Sequence, residues 1–156
     1  MIYISYLLCW FTWLGSPSST TYQTTVRIYE QDKEIAKISK ENNKICFYKK
    51  GICVGMLNSN GEILVGRSQF TKGWLQADQL LAKDKRKVLK TLSWQDDQTL
   101  QIENSLANKC GIITQYTIQN MQGDTIATWQ GSTTNAKEIY QLLAIYTVYF
   151  SDWKLC

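Results

Sequence analysis

The sequence predicts a mainly β domain, an antiparallel meander or barrel with one short helix and a buried apolar helix at its C-terminal end. Three observations carry that expectation. In residues 22–66, short runs of alternating apolar and polar residues are separated by polar turns. Asn58-Ser59-Asn60-Gly61 contains an Asn-Gly step, the strongest short hairpin cue, because both central turn positions need φ above zero. Residues 139–150 hold only Gln141 and Thr147 as polar positions, a pattern that must be enclosed by protein or lipid.

The elements follow in order. Thr25-Val26-Arg27-Ile28-Tyr29 alternates as a strand, turns at Gln31-Asp32-Lys33 and returns as Glu34-Ile35-Ala36-Lys37-Ile38. After Glu41-Asn42-Asn43, residues 44–48 and 52–57 flank a turn at Lys49-Lys50-Gly51. If position 47 faces 52 there, Cys46 faces Cys53, and a bridge between them would stabilise by about 2.5 kcal/mol on the chain-entropy model. Glu62-Ile63-Leu64-Val65-Gly66 is the next strand. Residues 75–83 read as the short helix, since Ala77, Leu80 and Leu81 recur at i, i+3 and i+4. Residues 86–94 read as a strand, with a turn at Gln95-Asp96-Asp97-Gln98 and a return over residues 99–103. Residues 112–118 and 125–129 form a further hairpin around Met121-Gln122-Gly123-Asp124.

Asn135 is placed to cap the last helix, with Glu138 three residues on as its capping-box partner. The run is too short for a comfortable membrane span. A β-rich protein with one helix apolar on nearly all sides suggests a barrel closed around that helix. A buried strand is the competing reading, because residues 145–150 are rich in β-branched and aromatic side chains.

The 156 residues suffice for one domain, residues 22–156, preceded by an apolar segment, residues 1–21. That segment has no charged residue before position 15, and Ser16 and Ser18 could occupy the small-residue positions of a cleavage site. No Lys or Arg precedes the apolar run, so it reads equally as an interfacial anchor through Trp10, Phe11 and Trp13, an arm, or a first strand.

Net charge is +4, mildly basic and short of a dedicated nucleic-acid binder. Histidine is absent, which removes imidazole acid–base catalysis and imidazole metal ligation. Of five cysteines, Cys9 lies in the apolar segment. Cys46, Cys53, Cys110 and Cys156 form an even set without C-x-x-C spacing, which suits disulfides in an oxidising compartment better than zinc. Four cysteines permit three connectivities.

The unit Ile28-Tyr29-Glu30-Gln31-Asp32-Lys33-Glu34-Ile35-Ala36 has the same shape as Ile118-Gln119-Asn120-Met121-Gln122-Gly123-Asp124-Thr125-Ile126-Ala127. With the apolar run of residues 142–150 followed by Asp152, this pattern resembles the tubby C-terminal-like superfamily, which includes LURP-one-related and phospholipid-scramblase-like proteins. The resemblance implies a β-barrel threaded by its C-terminal helix, and lipid or protein binding in place of a known reaction.

No phosphate-binding glycine loop, nucleophile elbow or cofactor motif is present. Asp96, Asp97 and Glu103 could supply paired carboxylates, but adjacent residues on a turn are usually solvated. The densest charge cluster is Lys83, Asp84, Lys85, Arg86, Lys87 and Lys90, suited to phosphates, anionic lipid heads or an acidic protein. A solubilising edge is the alternative. Tyr22, Trp74, Trp94 and Trp129 are candidates for a stacking surface beside it. These features point to a non-catalytic binding or interaction protein, secreted or membrane-associated, with a protein partner foremost and a membrane surface second. A structural subunit of a larger assembly and an intracellular tubby-like binder of anionic lipid are the alternatives.

Overall fold

The structure, a computed structural model, describes residues 24–132 and 135–156. The apolar segment, with Cys9 and Tyr22, lies outside the described residues. Twelve antiparallel strands run in sequence order: β1 (Thr24–Glu30), β2 (Lys33–Glu41), β3 (Lys44–Lys49), β4 (Ile52–Leu57), β5 (Glu62–Val65), β6 (Phe70–Gln76), β7 (Gln79–Ala82), β8 (Val88–Asp96), β9 (Thr99–Glu103), β10 (Lys109–Ile113), β11 (Thr117–Asn120) and β12 (Thr125–Ser132). Each pairs with its sequence neighbours, and β12 pairs with β1, with Ile28 opposite Trp129. Among the described residues closure leaves no strand edge unpaired as a template for aggregation.

Inside the barrel runs α1 (Ala136–Ile145), continued by a π-helical turn (Tyr146–Phe150). Barrel diameter grows with strand number, and side chains alone fill the interior at about eight strands. Twelve strands leave room for a helix about 10–12 Å across. The inward residues of the wall, among them Val26, Ile28, Ile38, Phe47, Ile63, Leu80, Ile102 and Ile118, pack with Leu142, Leu143, Ala144, Ile145 and Tyr146 in one core. The helix satisfies its own backbone polar groups, so it can stand in this apolar surround. Thr147, a buried polar residue, donates its hydroxyl to the Leu143 carbonyl at 2.7 Å.

Two strand glycines make room where the helix leaves. A Cβ on Gly55 would lie 2.2 Å from the Phe150 ring and 2.5 Å from the Leu64 carbonyl oxygen. A Cβ on Gly73 would meet the Leu81 carbonyl at 2.5 Å and the Tyr149 hydroxyl at 2.6 Å. Phe150 instead stacks on Phe47 at 4.7 Å, and Tyr149 donates to the Leu81 carbonyl at 2.8 Å.

The fold differs from expectation in three places. Residues 75–83 are not helical; they form the hairpin of β6 and β7, with Leu75 opposite Leu80. The i, i+3, i+4 spacing was real but short, and the ladders offered by β5 and β8 overrode it. The span 112–118 is broken by a turn in which Thr114 and Thr117 share a hydroxyl hydrogen bond at 2.5 Å and the Thr117 amide donates to the Thr114 hydroxyl at 3.2 Å. A threonine turn carries no Gly or Pro to mark it. In the β3–β4 hairpin, Lys50 and Gly51 take φ of 51° and 77°, so the turn sits one position later than expected. Tyr48 then faces Cys53 and, past a bulge, Cys46 faces Met56.

Candidate functional site

A meander places alternate turns at the same end of the barrel. The helix starts at one end, where Asn135 accepts a hydrogen bond from the Glu138 amide at 3.3 Å; we term this the cap pole. Glu138 also pairs with Lys40 on β2. The helix ends at the opposite, clasp pole. There residues 151–156 cross the barrel mouth and are tied to four strands. Lys49 on β3 donates to the Phe150 carbonyl at 2.9 Å, and Trp153 donates to Glu30 of β1 at 2.6 Å. Lys90 on β8 donates to the Cys156 carbonyl at 2.9 Å, and Cys156 is disulfide-bonded to Cys110 on β10.

The cysteine set is therefore divided. Cys110 and Cys156 are joined, while Cys46 and Cys53 are free thiols. The register differs from the expected one, in which Cys46 faces Cys53: Cys53 faces Tyr48 and Cys46 faces Met56. Burial, and next the neighbouring Cys53, push the Cys46 thiol above its ordinary range, which makes it a poorer nucleophile.

The basic cluster falls on the five-residue turn between β7 and β8, at the clasp pole. The Ala82 amide donates to the Lys87 carbonyl at 2.8 Å, and the Lys85 amide donates to the Ala82 carbonyl at 2.9 Å. Lys85 adopts φ of 64°. Asp84 spends its carboxylate within the turn, accepting the Arg86 amide at 3.0 Å. Lys83, Lys85, Arg86 and Lys87 are all exposed, and none forms an ion pair among the described residues. The Lys85 ammonium lies 3.8 Å from the centre of the Trp74 ring, whose N–H donates to the Lys83 carbonyl at 3.0 Å. Trp74 thus holds the turn in shape and aligns one of its cations.

The structure brings together four of the five predicted basic residues. Lys90 stands apart on β8, half-buried and engaged with the C-terminal residue. Burial, and then the Lys87 charge, lower its pKa. Of the expected stacking surface only Trp74 is beside the patch. Trp94 stacks on Tyr140 at 5.5 Å and Trp129 meets the same ring edge-on at 5.6 Å, near the helix start.

Clefts open at both ends of the barrel. One, of about 910 Å³, lies beside the clasp and includes Glu30, Lys49, Tyr146, Asp152 and Trp153 in its lining. At the cap pole one of about 470 Å³ is lined by Lys40, Asn43, Ala77 and Glu138 among others, and one of about 390 Å³ lies between Gln98, Tyr116, Trp129 and Tyr140. Asp96, once a candidate acid, accepts the Gln98 amide at 2.7 Å as a turn residue. Among the described residues, no group of three or more His, Cys, Asp or Glu side chains is gathered as metal ligands would be. No described helix is long and apolar enough to cross a membrane.

One feature of the surface was not legible as a pattern in the sequence. Ile52, Phe70, Leu106 and Met121 are exposed by 64%, 68%, 78% and 47%. They are far apart in sequence, and only the closed ladder shows that all four sit at one pole. Comparison with protein-family models, with curated proteins and with solved structures returns no match.

Proposed function

We propose that this chain is a non-catalytic binding protein that works through its outer surface, with turn 83–87 as the contact for an anionic partner. The observation that carries the reading is that turn: four exposed cations and one carboxylate on five residues, with that carboxylate hydrogen-bonded to the Arg86 amide. A solubilising edge needs no fixed geometry. Here a tryptophan hydrogen-bonds the turn's backbone and lies under one of its cations. The barrel interior is occupied by the chain's own helix, which directs recognition to loops and outer walls.

The Cys110–Cys156 bond supports an oxidising compartment, and with it export or association with a membrane. A twelve-strand barrel threaded by its C-terminal helix supports the tubby-like resemblance.

The test replaces Lys83, Lys85, Arg86 and Lys87 together by Gln in the full chain. Binding to polyglutamate and to phosphatidylserine-containing vesicles is measured across a salt series. We expect wild-type binding to at least one of them to weaken steeply with salt, and the variant to lose roughly two orders of magnitude, at about 1 kcal/mol per cation, discounted for screening. Equal binding by both proteins would remove the turn from consideration.

A further inference from the structure

We infer that the clasp pole docks end-on against an anionic membrane surface, with the apolar tips entering the headgroup layer beside the basic turn. The inference rests on the reading of turn 83–87 as an anion contact and names the partner.

The sequence order of the ladder fixes which loops share the clasp pole: residues 31–32, 50–51, 66–69, 83–87, 104–108 and 121–124. Of the five large apolar side chains exposed among the described residues, four are at this pole, and only Tyr116 is at the other. Each apolar tip has its own turn. Ile52 follows turn 50–51 and Phe70 follows turn 66–69; Leu106 is on loop 104–108 and Met121 on turn 121–124. Three of them have a basic residue close in sequence: Lys50, Arg67 and Lys109 respectively.

A protein interface concentrates its apolar residues in one packed core ringed by polar groups. Here the apolar residues are spread singly around a rim, each on its own turn. A membrane interface accepts that arrangement, because single apolar side chains can slip between headgroups while cations meet the phosphates.

Charge also sets the tilt. Asp32 and Asp124 occupy neighbouring turns, β1–β2 and β11–β12, the first directly across the rim from turn 83–87 and the second two turns from it. An anionic surface attracts the basic side and repels the acidic one. Phe70 and Leu106, on the turns flanking 83–87, are then deepest, and Met121 is shallowest.

The experiment uses the full chain and co-sedimentation with vesicles of phosphatidylcholine alone or with phosphatidylserine added. Phe70→Ser with Leu106→Ser is expected to weaken binding to the anionic vesicles about tenfold or more, since each removes a membrane-buried apolar side chain. Met121→Ser is expected to cost less, and Tyr116→Ser at the opposite pole to change nothing. All are exposed positions, and an unchanged circular dichroism spectrum confirms folding. Wild-type affinity for Phe70→Ser/Leu106→Ser, or equal wild-type binding to neutral and anionic vesicles, would overturn the docking. Binding to polyglutamate but not to anionic vesicles would overturn it in favour of an acidic protein, leaving the turn's role intact. Undiminished binding of both probes by the four-Gln variant would sink both readings.

Discussion

The loops of the clasp pole hold six basic and three acidic side chains, whereas those of the cap pole hold no basic and two acidic ones. The poles also differ in fastening. At the cap pole the helix begins with an Asn135 cap and a Glu138–Lys40 pair, both formed by polar side chains near solvent. At the clasp pole a disulfide, three side-chain hydrogen bonds and two aromatic rings seated over strand glycines hold the same helix. The proposed binding face and the strongest fastening thus coincide. A surface that meets a partner repeatedly benefits from loops whose positions are fixed beforehand, because ordering them on contact costs affinity.

The comparison can be broken most sharply at the disulfide. Cys156→Ser opens a closed loop spanning 46 residues and should cost about 4 kcal/mol on the chain-entropy model. Denaturant unfolding measures it, and native alkylation supplies a second reading. We expect Cys46 and Cys53 to be modified without reductant, and Cys110 only after reduction or in the variant. A loss below about 1 kcal/mol would mean that the clasp pole does not depend on its covalent tie.

A smaller effect comes from alkaline pH. Burial, then the charges of Glu30 and Asp152, raise the Tyr146 hydroxyl from its ordinary value of 10 to about 12, and burial raises Tyr149 as well. The folded form therefore ionises later than the unfolded chain. Stability should be full below about pH 10 and fall as pH climbs towards 12, by on the order of 2 kcal/mol for Tyr146. Tyr146→Phe should flatten that fall in denaturant midpoints measured from pH 8 upward. An unchanged slope would place the sensitivity elsewhere.

The smallest expected effect is at the cap pole. Asn135→Ala removes the acceptor for the Glu138 amide and should cost about 1 kcal/mol. A loss as large as that of Cys156→Ser would reverse the ranking of the two poles.

Much of the wall was legible because each strand declares itself locally. In Thr24–Glu30 the alternate residues Thr24, Val26 and Ile28 are buried, and Asn58-Ser59-Asn60-Gly61 forms the expected turn. The C-terminal helix was legible from its cap and from the lack of a polar face. The β6–β7 hairpin was not, since Ala77, Leu80 and Leu81 match a helical period, and Ala77 marks its turn only through a φ of 52°. The basic cluster was legible as a run. Its separation into a free turn and an engaged Lys90 was not, because Lys90 finds its partner 66 residues away.

Composition and local patterning alone determined that this chain is β-rich, lacks imidazole chemistry, and carries an apolar run over residues 139–150 that must be enclosed and a basic run over residues 83–90. Tertiary structure decided which cysteines join, which aromatic supports the turn, and that four scattered apolar residues share one pole. The reason lies in range. Strand periodicity, turn conformation and caps are set within a few residues, whereas register and closure depend on every bulge and turn around the ring. A one-residue shift at Lys50-Gly51, followed by the bulge beyond Tyr48, was enough to place Cys46 opposite Met56 in place of Cys53.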